Sequence, residues 1–148
     1  MKEKILVSAC FLEKGFKYNG KDNYNESIKE LQNEFDFVLI CPECFGGLSV
    51  PRLPSEIIGD KVFNSEGIDV TINFIMGAKK ALEIAQKNNC KYALLKASSP
   101  SCGNKDIYDG TFSGIKIEGE GITTKLLKEN GIKVFNEYEI DKLKKEMI

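Results

Sequence analysis

The 148-residue chain contains no histidine. That absence removes Ser–His and Cys–His nucleophile pairs and every histidine-containing zinc site. Arginine is nearly absent too: Arg52 stands alone, and every other cation is lysine. Acids and bases almost cancel, 22 against 21, for a net charge of −1. With no basic surplus to bind a phosphate backbone, a nucleic-acid polymer is not an expected partner, whereas a single base or nucleoside stays open as a ligand. No apolar run approaches the ~20 residues that span a bilayer. The first apolar run, Lys4–Ala9, is too short for a signal-peptide core, and no small-residue cleavage site follows it. The expectation is a cytoplasmic protein with no membrane partner. In that reducing setting the five cysteines are core thiols, redox groups or metal ligands rather than disulfides.

What is present fits an ordinary globular chain. Hydrophobic residues make up 42% and charged residues 29%, and a chain of this size buries roughly 68–70% of its unfolded surface without disulfide staples. One domain over residues 1–148 is expected. Lys4–Ala9, Asp36–Ile40 and Tyr92–Lys96 are short aliphatic runs that read as strands covered on both faces, and Lys133–Phe135 is a shorter fourth candidate. Helical spacing lies between them. Glu26–Phe35 places Ile28, Leu31 and Phe35 on one stripe behind a cap at Asn25. Thr71–Lys87 aligns Phe74, Ala78, Ala81, Leu82 and Ala85, and Ile122–Glu129 stops at Asn130-Gly131. Asn136 to Glu139 resembles a capping box for a last helix carrying Ile140, Leu143 and Met147. This alternation predicts an α/β, Rossmann-like, doubly wound and mostly parallel sheet of about four strands, with helices on both faces. Two long irregular segments, Pro42–Asp69 and Ala97–Gly121, follow strands and read as active-site loops.

In open α/β sheets, ligands bind at the carboxyl ends of the strands. Cys10 follows the first strand, Cys41 the second, and Cys102 lies six residues past the third, in Ser99-Pro100-Ser101-Cys102-Gly103. Three thiols therefore fall on one edge of the expected sheet. Cys90 precedes the third strand, at the opposite edge. Any of these alone would be an ordinary core residue; the shared edge points to ligation. An iron–sulfur cluster held by three thiolates keeps one iron open, while zinc or Cu(I) also suits soft ligands. Around the thiols stand Glu43, a carboxylate beside Cys41, and Gly46-Gly47, which would let backbone approach a ligand or simply make a turn. Arg52 offers a planar fork for a carbonyl or carboxylate, or a salt bridge. Ser98, Ser99 and Ser101 bring hydroxyls, with turn chemistry the preferred reading of Ser98. Lys96 ends a strand, and Tyr108 to Phe112 reads as a turn or as a hairpin joining two short edge strands. Glu43, Ser99, Ser101, Arg52, Lys96 and Tyr108 are therefore the candidate site residues beside the three thiols.

These segments resemble the DUF523 family, whose studied members include the thiouracil desulfidases. The resemblance runs across nearly the whole chain. It rests on Val7-Ser8-Ala9-Cys10, Cys41-Pro42-Glu43 with Gly46-Gly47-Leu48, Pro51-Arg52 with Pro54, and Gly67 to Thr71. It continues through Gly77-Ala78, Leu95-Lys96, Ser99 to Gly103 and Tyr108 to Phe112. It implies an oxygen-sensitive [4Fe–4S] cluster on Cys10, Cys41 and Cys102, with acid–base and positioning roles at Glu43 and Ser99. The implied reaction removes sulfur from a thiolated pyrimidine base or nucleoside, such as thiouracil, without net redox change. Two features depart from the family. The loop Phe16-Lys17-Tyr18-Asn19-Gly20 carries Lys17 and Asn19 where the family usually has Arg and Asp, and Cys44 is unexpected. Two rival readings stay open at this stage. One is a non-enzymatic zinc or small-ligand module closed by Cys10, Cys41, Cys44 and Cys102. The other is a thiol redox protein using the Cys-x-x-Cys spacing of Cys41 and Cys44. No helix start is expected between those two cysteines, which weighs against the redox reading.

Overall fold

The structure, a computed structural model, describes residues 2–12 and 23–147. Four parallel strands form the central sheet: β1 (Lys4–Ser8), β2 (Asp36–Ile40), β5 (Tyr92–Leu95) and β8 (Lys133–Asn136), in the order β2-β1-β5-β8. Alternation along β1 explains the two cores. Ile5 and Val7 point to one face, Leu6 to the other. On the first face, Ile5, Val7 and Leu94 pack with Ile28 and Leu31 from the segment begun by α1 (Glu26–Glu30), and with Leu143 of α5 (Ile140–Met147). On the second, Leu6, Ala93 and Leu95 meet Ala81 and Ala85 of α3 (Thr71–Lys87) and Leu127 of α4 (Ile122–Glu129). The doubly wound expectation holds. Asn25 caps α1 by accepting from Ile28 N at 3.1 Å. Glu139 accepts from Asn136 N at 3.1 Å, as a capping box does.

The two segments read as irregular loops carry short regular elements. The first contains α2 (Pro42–Phe45) and the antiparallel hairpin β3 (Ser55–Ile58) with β4 (Lys61–Asn64). The second contains the antiparallel pair β6 (Asp106–Tyr108) and β7 (Lys116–Glu118). Tyr108 to Phe112 thus does belong to a hairpin, but one forming its own small sheet rather than an edge of the main one. β3 packs beside β6, so the two hairpins meet above the carboxyl edge of the central sheet. α2 escaped the sequence reading because four residues carry no periodicity. Its available signal was Pro42 followed by Glu43, an N-terminal helix pattern.

Gly46-Gly47 does not serve ligand approach. A Cβ on Gly46 would stand 1.9 Å from Asn73 O, and one on Gly77 1.8 Å from Pro42 O. The glycines let α2 lie directly against α3, and Asn73 Nδ2 donates to Gly46 O at 2.8 Å. This seat fixes the direction in which α2 presents its first turn. Among the described residues, no helix is long and apolar enough to cross a membrane.

Candidate active site at the end of the central sheet

Strand order reverses between β1 and β5, the neighbours from which the chain runs outward in both directions. Ligand sites in open α/β sheets form at such a point. A cavity of about 540 Å³ lies there, lined by Cys10, Cys41 and Cys102 together with Glu43 and Ser99. Arg52, Lys96 and Tyr108 line it as well. The structure thus brings together eight of the nine candidate residues.

Each thiol is placed by a short, fully bonded turn. Cys10 sits in a 3-10 turn, Ala9–Phe11, that continues β1, and its carbonyl accepts from Asn23 N at 2.9 Å. Cys41 is the N-cap of α2, its carbonyl accepting from Phe45 N at 2.9 Å. Cys102 is held from two sides. Ser99 Oγ accepts from Ser101 N at 3.0 Å and Cys102 N at 3.1 Å, and Thr124 Oγ1 donates to Cys102 O at 2.7 Å. The carbonyls of Pro100 and Ser101 in turn receive the first amides of α4, Ile122 N and Thr123 N, both at 2.9 Å. A helix end needs such acceptors, so the Cys102 turn and α4 stabilise one another. Ser8 Oγ links strands and thiol: it accepts from Lys96 N at 3.1 Å and donates to Cys102 Sγ at 3.9 Å.

Burial pushes all three thiols up from their ordinary value. For Cys41 the value reaches about 12, with burial the chief cause and a hydrogen bond from the Cys44 backbone acting against it. For Cys102, burial is followed by the nearby Cys10, Glu43 and Cys41, each of which disfavours a further negative charge. Cys10 rises for the same first reason. Free thiols in this state are poor nucleophiles. A bound cation reverses the balance, because a coordinated thiol is deprotonated outright.

Glu43, in the first turn of α2, pairs with Arg52: Nε donates to Oε1 at 3.0 Å, and the side chains are only 8% (Arg52) and 17% (Glu43) exposed. Arg52 Nη1 also donates to Ser49 O at 3.2 Å and Cys44 Sγ at 3.8 Å. Burial alone would lower the guanidinium's pKa, but the Glu43 carboxylate holds it above its ordinary value. Of the two expectations for Arg52, a ligand or a salt bridge, the structure displays the salt bridge, with Glu43 the chief partner. Lys96 pairs with Glu137, Nζ to Oε2 at 2.8 Å, while Ala97 N donates to Glu137 Oε1 at 2.8 Å. Ser101 is the exception among the nine. It does not line the cavity; it is 1% exposed and its hydroxyl pairs with Thr123 Oγ1 at 2.8 Å, because alternate residues of this tight turn face α4. Ser98 makes turn chemistry as expected, bonding Asp106 Oδ1.

Sequence reasoning missed Glu56, Phe112 and Asn23, all of which line the cavity, and Glu137 behind Lys96. A lone glutamate in the apolar strand Ser-Glu-Ile-Ile was the one local hint. Lys17 and Asn19 lie outside the described residues. Cys90 lies at the amino end of β5, in the core with Ala85 and Ala93.

The rivals fare unequally. α2 begins directly after Cys41, contrary to expectation, so the placement of Cys41 and Cys44 does resemble a redox pair at a helix N-terminus. The raised Cys41 thiol is the opposite of the lowered one that such motifs use. Among the described residues, no three Cys, Asp or Glu side chains stand grouped as a ready single-ion site.

The family model of the 2-thiouracil desulfurases matches residues 5–139. An uncharacterized Bacillus subtilis (strain 168) protein, YbbK, is 43% identical over 147 residues, covering 93% of this chain and 97% of its own. A solved structure described as the [4Fe-4S]-dependent thiouracil desulfidase TudS superposes with a TM-score of 0.93 at 41% identity, covering 99% of this chain and 98% of that one.

Proposed function

The chain belongs to the 2-thiouracil desulfurase family, and from that premise we infer that it is a [4Fe–4S]-dependent desulfidase that converts a thiolated pyrimidine such as thiouracil to the oxo base and hydrogen sulfide. The observation that carries the reading is the convergence of Cys10, Cys41 and Cys102 on one cavity at the strand-order reversal. The donor set fits the cluster: three soft thiols line one cavity, whose volume suits a small ligand as well. When bound there, the cluster supplies a soft Lewis-acidic iron for a thiocarbonyl sulfur.

The chain's own residues do the rest. Glu43 carries protons between water and the heterocycle, as a positioned carboxylate can. Arg52 fixes the orientation of Glu43 through Nε. Ser99 Oγ has both lone pairs turned toward Ser101 N and Cys102 N, so only its proton remains to offer. Ser99 therefore serves as a hydrogen-bond donor to the substrate, not as a base. Tyr108 and Phe112 supply aromatic wall for a planar ring. The overall reaction exchanges C=S for C=O: water provides the oxygen, sulfur leaves as hydrogen sulfide, and no electrons are needed. Free thiols and such a cluster both favour a cytoplasmic setting.

The test is anaerobic turnover of 2-thiouracil with no electron donor, following uracil by chromatography and sulfide by colorimetry. Equal amounts of both are expected. Turnover that required a reductant would contradict the non-redox reading.

A further inference from the structure

Glu56 is the buried carboxylate that the reaction as described does not use. It is 8% exposed and lines the cavity. Its Oε1 accepts from two backbone amides of the β6–β7 turn, Gly110 N at 2.9 Å and Phe112 N at 3.2 Å. Among the described residues, Oε2 meets no donor. Nor is Oε2 sealed away, since no fully buried side-chain oxygen or nitrogen lacks a partner. One oxygen is therefore committed to the hairpin, while the other is an acceptor open to the cavity. The same hairpin places Phe112 on the cavity wall, so this acceptor stands beside an aromatic surface.

We propose that Glu56 Oε2 is the specificity element of the site, accepting a hydrogen bond from the N3–H of the thiopyrimidine. The proposal rests on the desulfidase reading above. A ligand that brings a donor to this acceptor is favoured over one that closes the site and leaves it unmatched. Thiouracil carries ring N–H donors next to its thiocarbonyl. N3–H is the one that adjoins the thiocarbonyl whether sulfur sits at C2 or C4, and it persists when N1 is substituted.

Glutamine at this position gives a specific test. The two hairpin amides are donors, so the Gln carbonyl must face them, and the NH2 group then takes the place of Oε2. Glu56→Gln thus keeps the hairpin bonds but turns the cavity-facing atom from acceptor to donor. The substrate that matches a donor is 2-thiocytosine, whose N3 is an acceptor.

The experiment measures kcat/KM of the cluster-loaded wild type and of Glu56→Gln on 2-thiouracil and 2-thiocytosine. Iron content and melting temperature are read alongside. The variant is expected to keep its iron, to lose about 10- to 100-fold on 2-thiouracil, and to gain on 2-thiocytosine. An equal fall on both substrates would reduce Glu56 to a fastener of the hairpin and overturn the proposal. A second measurement needs no variant: the wild type should bind 1-methyl-2-thiouracil like the parent and 3-methyl-2-thiouracil about tenfold or more weakly. Equal binding of the two would overturn the proposal while leaving the desulfidase reading intact. A wild type inactive on every thiopyrimidine would overturn both.

Discussion

Cys90 and Cys102 are nearly equal in burial, 5% and 6% exposed, and belong to the same core cluster. They lie at opposite ends of β5. At the amino end, Cys90 packs among Ala85, Ala93 and Ile132 as a small hydrophobe. At the carboxyl end, Cys102 meets Ser8 Oγ and faces the cavity shared with Cys10 and Cys41. Burial does not separate the two. Position on the sheet does: in open α/β sheets, ligand sites gather at the carboxyl ends of the strands.

The largest expected break in this contrast comes from the ligands. Cys10→Ser, Cys41→Ser or Cys102→Ser should each abolish both iron binding and sulfide release, because a hydroxyl replaces a thiolate poorly. Next is Glu43→Gln, which removes proton transfer but no soft ligand. It should retain iron and lose about 100-fold or more in kcat, read by sulfide release at matched iron content. A bleached variant would instead make Glu43 a support for the cluster. Third is the seat beneath the site. Gly77→Ala puts a methyl into Pro42 O and should cost about 2–3 kcal/mol in denaturant unfolding. Fourth, at the closed end, Cys90→Ala should cost only about 1 kcal/mol for a small cavity and leave iron content unchanged.

The smallest effect lies at the α5 cap. Burial acts to raise the Glu139 carboxyl's pKa, but hydrogen bonds from Asn104 and Asn136 N and the Lys105 ammonium hold it below the usual carboxylate range. A lowered value means the unfolded chain takes up its proton first. The stabilisation is therefore present above the ordinary glutamate value and lost as pH falls through the folded one. Glu139→Gln should cost under about 1 kcal/mol at neutral pH, the gap to wild type closing in acid. Urea midpoints at several pH values would check it.

How much was legible follows the same division. The floor of the site could be read because aliphatic runs mark the strands, and chain order alone puts Cys10, Cys41 and Cys102 just past their ends. The roof could not. β3, β4, β6 and β7 are three or four residues long, too short for a period to show, and Glu56 meets its partners more than fifty positions away. Arg52 was noticed for its rarity, with a ligand and a salt bridge both open, since nothing in sequence reveals that α2 would turn Glu43 toward it. Ser101 was misplaced because two serines in one tight turn look alike until α4 claims one of them.

The most direct test of the account is cluster content coupled to turnover after anaerobic reconstitution. Wild type and Cys90→Ala should each bind about four iron and four sulfide per chain and release one sulfide per thiouracil consumed. Cys102→Ser, carrying its change in the turn beyond the carboxyl end of β5, should do neither. A Cys102→Ser protein that kept its iron and its turnover, or a wild type that held a single zinc and no iron, would contradict the account.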